Sequence, residues 1–424
     1  MARLLSLPTM TTAPAEATKL SELTEQQKKS GFAAWLGWFF DGLDLHLYTL
    51  VATVFIAQLL GTETTHADVR KYGAFVMGAF LLGWAMGGAV FGYIGDRFGR
   101  SRTLVLTVLT YALFTGLAFF AQNWWQLMIF RFLAALGIGG EWAIGASLLS
   151  ETWPKKWRPW IAAVLQCAVN FGILAAILSV AVLELFFPEI KTAPKWVFLI
   201  GVLPAFVTLW IRHAVPETDE WKSEAERRQV PPLSALFAPQ IRRSTWLAVA
   251  LCAISLTGHW VFMYWQQAFI KVHPGVSPAD QGGIVKWALF TVIACSVVGN
   301  FASGWAAQRF GYGRALCGFF GAYFVLMAVA FGFTWSLPAT FAFYGAIGFC
   351  QGVFGLFTMC LPPLFPTLQR TTGAGFSYNI GRVFSAIGVV IFGLVTIQIG
   401  QCLLYAAFLF IPAAILALWM PEPA

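Results

Sequence analysis

The chain alternates long apolar runs with short polar ones, and the apolar runs number twelve. They lie near residues 31–60, 72–94, 103–121, 126–149, 159–186, 195–212, 244–270, 284–307, 315–334, 339–362, 376–399 and 402–420. About 20 apolar residues cross a bilayer as a helix, and a segment in hydrocarbon must satisfy its backbone internally. Each run is therefore predicted to be a membrane helix, numbered here spans 1 to 12 in chain order. The longest polar interval, 213–243, follows the sixth run. This predicts a cytoplasmic N-terminal tail over 1–28, a first six-helix bundle over 29–212, a cytoplasmic linker over 213–243 and a second bundle over 244–424. Residues 220–228 suit a short amphipathic helix, so the linker reads as a strap between the bundles.

Composition sharpens this picture. Charged residues make up 11% of the chain, against roughly a quarter in soluble proteins, which leaves no room for a large soluble domain. A net charge of +8 would suit a nucleic-acid partner, but its distribution argues otherwise. Of 27 Lys and Arg, 19 fall in alternate polar segments beginning with the N-terminal one, and 6 fall in the opposite set. Arg131 and Arg382 lie within spans. That is the positive-inside bias. It places both termini in the cytoplasm and makes the lipid bilayer, not nucleic acid, the partner. The seven Cys all lie in apolar runs and form no CxxC, so they read as packing residues. No nucleotide-binding loop, metal-ligand spacing or nucleophile–base motif is present in the sequence. Neither a cofactor, a metal nor an enzymatic activity is expected, and the chain is read as a monomer.

Gly92, Gly95, Asp96, Arg97, Gly99, Arg100 and Arg102 form a polar loop after span 2. The loop closely resembles the signature between membrane helices 2 and 3 of the major facilitator superfamily. A weaker copy, with Gly304, Gln308, Arg309, Gly311 and Arg314, follows span 8, six helices later. Two copies at that interval suggest a duplicated six-helix unit. The resemblance implies an all-α membrane protein of twelve transmembrane helices in two bundles, working as a secondary transporter by alternating access. It also implies that Asp96 locks the halves together on the cytoplasmic side, supported by Arg97 and Arg100. Gln308 replaces the acid in the second copy, which implies a weaker lock there.

Span 4 reads Arg131, Gly137, Gly139, Gly140, Glu141, followed by Glu151, Pro154 and Arg158. This resembles sugar-porter-like and metabolite:proton symporter families. The stretch Phe365-Pro366 to Arg370, Tyr378, Asn379 and Arg382 is similar to sialate and lactate permeases and their metabolite:proton relatives. Glu151, Arg158 and Arg370 are then expected to form a cytoplasmic ion-pair cluster, made in one state and broken in the other. Span 7 has His259 where lactate permeases also have a His, but Ser255 stands in place of their Asn and no acid follows. That departure counts against lactate itself.

Span 1 carries Asp41 and Asp44, three residues apart and so on one helix face. Acids inside a span are costly and usually functional, and close carboxylates can share a proton. The pair resembles that of carboxylate and aromatic-acid proton symporters. Asp41, Asp44 and His259 are therefore candidate proton carriers. The alternative for each Asp is an ion pair with Arg, and for His259 a neutral ring with a backbone partner. A rise of 1.5 Å per residue puts Asp44 roughly 20 Å from the inner side and Arg131 roughly 8 Å from the outer side. In a core of about 30 Å these levels match, so Asp44 and Arg131 are predicted to pair. The same count places Glu141 and Arg382 at one level, in different halves, as a pair across the cavity, and Glu141 is counted among the gating residues with Gly92, Asp96, Arg97, Gly99, Arg100, Glu151, Arg158 and Arg370. Arg131 or Arg382 would hold a substrate carboxylate. Gln166 and Asn170, four apart on span 5, and Asn379 would orient it. Trp-rich stretches such as Trp124-Trp125 suit interface anchoring or the stacking of a ring-shaped substrate. The function expected is proton symport of a small organic anion in the cytoplasmic membrane. Neutral-sugar transport and a nutrient sensor are the alternatives.

Overall fold

A computed structural model of the chain describes residues 19–63, 66–186, 194–227, 229–277, 280–395 and 398–421. Most of the predicted tail lies outside them. Every regular element among the described residues is a helix. Spans 1 to 5 are Glu25–Leu60, Ala67–Phe98, Arg100–Ala118, Trp124–Thr152 and Arg158–Phe186. Span 6 is broken into a 3-10 stretch, Pro194–Val202, and a helix, Pro204–Ala214. A linker helix, Asp219–Arg227, follows. Spans 7 to 9 are Arg242–Lys271, Gln281–Phe310 and Tyr312–Gly332. Span 10 runs from Leu337–Gln351 through a 3-10 turn, Gly352–Leu356, into Phe357–Cys360. Span 11 is Arg370–Val395, and span 12 comprises Ile399–Ala407 and Phe410–Leu418.

Nine helical stretches among the described residues are long and apolar enough to cross a membrane by length and composition. Spans 1, 6 and 11 are not among them. Span 6 is interrupted at Leu203-Pro204.

Span 1 starts earlier than its apolar run because a capping box fixes it. Thr24 Oγ1 accepts from Gln27 N at 3.2 Å, and Gln27 Oε1 accepts from Thr24 N at 2.9 Å. The duplicated loops have matching backbones. Gly99 (φ +103°) and Gly311 (φ +86°) occupy the same sharp bend between spans 2 and 3 and between spans 8 and 9. That conformation costs a residue with a Cβ more than it costs glycine.

The halves meet where small residues admit backbones. On span 2, a Cβ at Gly88 would run into Asn379 and, at 2.8 Å, into Gly375 O, both on span 11. One at Gly92 would lie 3.0 Å from Thr371 O. The Gly88–Gly92 face thus packs against the other half. Spans 5 and 8 make the second crossing, where Asn170 Nδ2 donates to Ser296 Oγ at 3.2 Å.

Candidate functional site

A cavity of about 350 Å³ lies between the halves, lined by spans 1, 2, 4, 5, 7, 8, 10 and 11. It falls within the range typical of small-molecule sites. Asp41, Gln166, Asn170, His259 and Arg382 line it, as predicted for candidate binding and proton-carrying groups. Arg382 is the one Lys or Arg among its described lining residues. Its guanidinium carbon lies 3.9 Å from the Trp84 ring centroid and 4.6 Å from that of Tyr378. Its Nη1 donates to Asn379 Oδ1 at 3.0 Å, while Asn379 Nδ2 donates to Gly375 O at 2.9 Å. The span therefore holds its own arginine in place three residues on. Asn379 is fully buried behind Arg382, so it acts on Arg382 and not directly on the cavity. His259 Nδ1 and Tyr323 Oη lie 3.4 Å apart, a contact that supplies the partner predicted from backbone by a phenol instead.

Asp44 and Arg131 meet as their depths predicted. Arg131 Nη2 donates to Asp44 Oδ2 at 2.9 Å, and Thr115 Oγ1 donates to Asp44 Oδ1 at 2.6 Å. The Arg131 guanidinium also lies over the rings of Tyr48 (4.7 Å) and Phe80 (4.9 Å). The pair is enclosed in the first half and Arg131 does not line the cavity, so of the two predicted carboxylate holders only Arg382 is placed to meet a ligand.

The predicted Glu141–Arg382 pair is not formed. Equal depth does not fix azimuth. Glu141 is turned into the first half, where its carboxylate fills the space a Cβ on Gly37 would need. There it lies within hydrogen-bonding reach of Asp41. Among the described residues no donor reaches either Glu141 oxygen or Asp41 Oδ1. This also moves Glu141 away from the gate, to which the sequence reading had assigned it.

The residues expected to form a gate lie at the end of the bundle that carries the Gly92–Arg102 loop. Asp96 is fully buried and accepts from Thr371 N (3.3 Å), Thr372 N (2.9 Å) and Thr372 Oγ1 (2.5 Å) at the start of span 11. Carboxylates are favoured at that end of a helix dipole. Arg100 bonds Asp96 Oδ1 at 2.7 Å, Glu151 Oε1 at 2.9 Å and Thr367 O at 2.6 Å. Arg370 reaches Glu151 at 3.4 Å and Glu220 at 2.9 Å. Arg158 Nε donates to Trp153 O at 3.3 Å. Arg97 is exposed, beside the Phe98 ring at 5.6 Å, and is not among the described donors to Asp96. Of the two basic residues expected to support Asp96, Arg100 does so, reaching back across the Gly99 bend from the start of span 3.

The linker adds contacts the sequence did not announce. Glu217 accepts from Ser101 N (3.1 Å) and Arg102 N (2.9 Å), capping span 3. Thr218 donates to Glu151 at 2.5 Å, and Trp221 Nε1 to Asp96 O at 2.7 Å. The second copy of the loop does less. Gln308 Nε2 makes a hydrogen bond to Lys156 O at 3.0 Å, at an exposed position.

Residues 32–285, more than half of the chain, match the sequence model of the Major Facilitator Superfamily. The chain belongs to that superfamily. Among its relatives is the probable 4-methylmuconolactone transporter of Cupriavidus pinatubonensis, 29% identical over 389 residues, which span 88% of this chain and 85% of that protein. The sialic acid transporter NanX of Escherichia coli is 25% identical over 376 residues, 85% of each chain. The proton:xylose symporter XylE bound to 6-bromo-6-deoxy-D-glucose shares the fold, with a TM-score of 0.72 over 94% of this chain and 96% of that one at 16% identity. As a major facilitator protein, the chain is an integral membrane transporter of twelve helices in two six-helix bundles. Trp84 and Tyr378 are among the cavity residues that sequence reasoning missed as site residues. Their signal was present, since Tyr378 lies four residues before Arg382, one helical turn away. Trp84 had no such local clue, because its partner comes from the other half.

Proposed function

We propose that this transporter moves a small organic anion together with a proton, the two bundles over 29–212 and 244–424 rocking about the cavity. The single observation that carries this reading is the composition of the cavity. One arginine and one carboxylate line it, and the carboxylate is backed by a second one with no donor. Arg382 is the anion's counter-charge. Asp41 and Glu141 hold one proton between them, which would satisfy oxygens left bare in the structure. Asp41 and Arg382 are near enough to interact electrostatically. An anion on Arg382 and a proton on the carboxylate pair keep the loaded cavity close to neutral, and reciprocity then couples the two occupancies. Asp44, bound to Arg131 and Thr115, is a structural ion in this scheme. His259 is a neutral wall residue. Relatives named for 4-methylmuconolactone and sialic acid support an organic-acid substrate.

The gate end carries the excess of Lys and Arg, and we assign it to the cytoplasm of an inner membrane, with the N-terminus on that side. The gate is closed here, so the cavity belongs to the outward-facing state. The test is uptake by proteoliposomes under an imposed pH gradient, with a panel of acids and sugars. Gradient-driven accumulation of an acid is expected. Asp41→Asn should abolish it while leaving exchange across a membrane without a gradient. An Asp41→Asn protein that still concentrates substrate on a pH gradient alone would remove Asp41 from proton coupling. Uptake of neutral sugars and no acid would overturn the anion reading.

A further inference from the structure

The wall of the cavity around Arg382 is built of rings from both halves. Trp84 comes from span 2, while Tyr378 and Arg382 come from span 11. Tyr378 stacks on Trp142 of span 4, with centroids 4.0 Å apart and planes 9° from parallel. Trp142 in turn faces Trp38 of span 1 at 6.3 Å and 21°. The order Trp84, Arg382, Tyr378, Trp142, Trp38 is therefore one continuous series of stacked and cation–ring contacts across the interface. All five line the cavity. Asn379 occupies one guanidinium N–H, so Arg382 offers a ligand its remaining N–H groups beside a broad flat surface.

Part of the polar capacity elsewhere in the cavity is already committed. Of the amides that line it, Asn170 is bound to Ser296, Asn300 to Cys167 and Gln351 to Met263. Gln166 and Gln267 remain without a side-chain hydrogen bond among the described residues. A polyhydroxylated acid enclosed here would need partners for every hydroxyl, and each one left unpaired weakens binding. A flat acid asks for little beyond one counter-charge and a surface to lie on. Its ring or diene gains from offset stacking on Trp and Tyr.

We infer that Trp84 and Tyr378 make this a site for a planar, conjugated carboxylate, its acid group on Arg382 and its plane against the ring wall. The inference rests on the organic-anion reading of the cavity and narrows it. Trp84 is the specificity-determining residue on which it turns. It reaches Arg382 from the opposite half, and its indole N–H has no acceptor, so stacking is the contact seen to orient it.

Binding of three probes to the purified full chain by calorimetry tests this. Benzoate is flat, cyclohexanecarboxylate has the same charge and ring size but is puckered, and gluconate is polyhydroxylated. Benzoate is expected to bind about three- to tenfold more tightly than cyclohexanecarboxylate, and gluconate weakest. A merely apolar cavity would favour cyclohexanecarboxylate, the more hydrophobic acid. Trp84→Leu should erase the preference for benzoate, and Trp84→Phe should keep it. Cyclohexanecarboxylate binding as tightly as benzoate to the unaltered protein, or gluconate binding more tightly than both, overturns the inference but leaves the organic-anion reading standing. A preference that survives in folded Trp84→Leu protein removes Trp84 from selection. Binding of none of the three acids, with binding of glucose, overturns the anion reading itself.

Discussion

Arg131→Met is expected to cost about 3–5 kcal/mol of stability, the usual penalty for stranding one member of a buried ion pair. Asp44 would keep Thr115 as a donor but lose its only paired cation among the described residues, at a site where both groups are fully buried. Asp44→Asn should be as damaging for the opposite reason. It leaves a guanidinium between Tyr48 and Phe80, which offer ring faces but no counter-charge. Losses of this size are comparable with the whole stability of many folded proteins, so both variants should show reduced folded yield and a lowered melting temperature in detergent. The double variant should recover part of the loss, because neither charge is then left alone. Unchanged melting in both single variants would mean that the pair is not buried as the structure has it. Near-additive losses in the double variant would mean that the two groups act independently.

That pair illustrates what the sequence could yield. Counting residues along two apolar runs gives depth, and depth matched Asp44 to Arg131 because both helices lie in one bundle and are in contact. The same count matched Glu141 to Arg382 and failed, because depth carries no azimuth. Which way Glu141 points is decided by Gly37, whose missing side chain makes room for it, and nothing in the local pattern of span 4 records that glycine on span 1. The Asp96–Arg100 contact was legible because both residues lie in one short motif, on either side of the Gly99 bend. The lock's completion by Glu217, Thr218 and Trp221 was not, because polar residues in a polar interval have no periodicity to betray a partner. The twelve spans were legible because each is a long apolar run, which has one way to satisfy its backbone in a bilayer.

The second large effect is expected at the gate. Asp96→Asn should slow uptake at least about tenfold while leaving substrate binding largely intact. Gln308→Ala, at the matching position of the second half, should change uptake little. The reason lies in what each residue gives up. Asp96 carries a full charge, is wholly buried, and receives two backbone N–H groups, a hydroxyl and a guanidinium. Three of those four donors belong to the other half, so they are lost when the halves part. Hydrogen bonds to a charged group contribute about 1.5–3 kcal/mol each, and the loss of even one such contribution shifts a two-state equilibrium by roughly ten- to hundredfold. Asparagine fills the same space but supplies no charge to the span 11 N-terminus or to Arg100. Gln308 makes a single neutral bond in an exposed place, for which about 0.5–1.5 kcal/mol is the upper scale. Distance measurements between labels placed on the two halves at the gate end would report the shift directly. The Asp96→Asn protein should populate an open gate that the unaltered protein and Gln308→Ala do not. Equal, small effects from the two substitutions on both distance and uptake would show that the halves are held by backbone packing at Gly88 and Gly92, with the Asp96 network merely decorating a contact made without it.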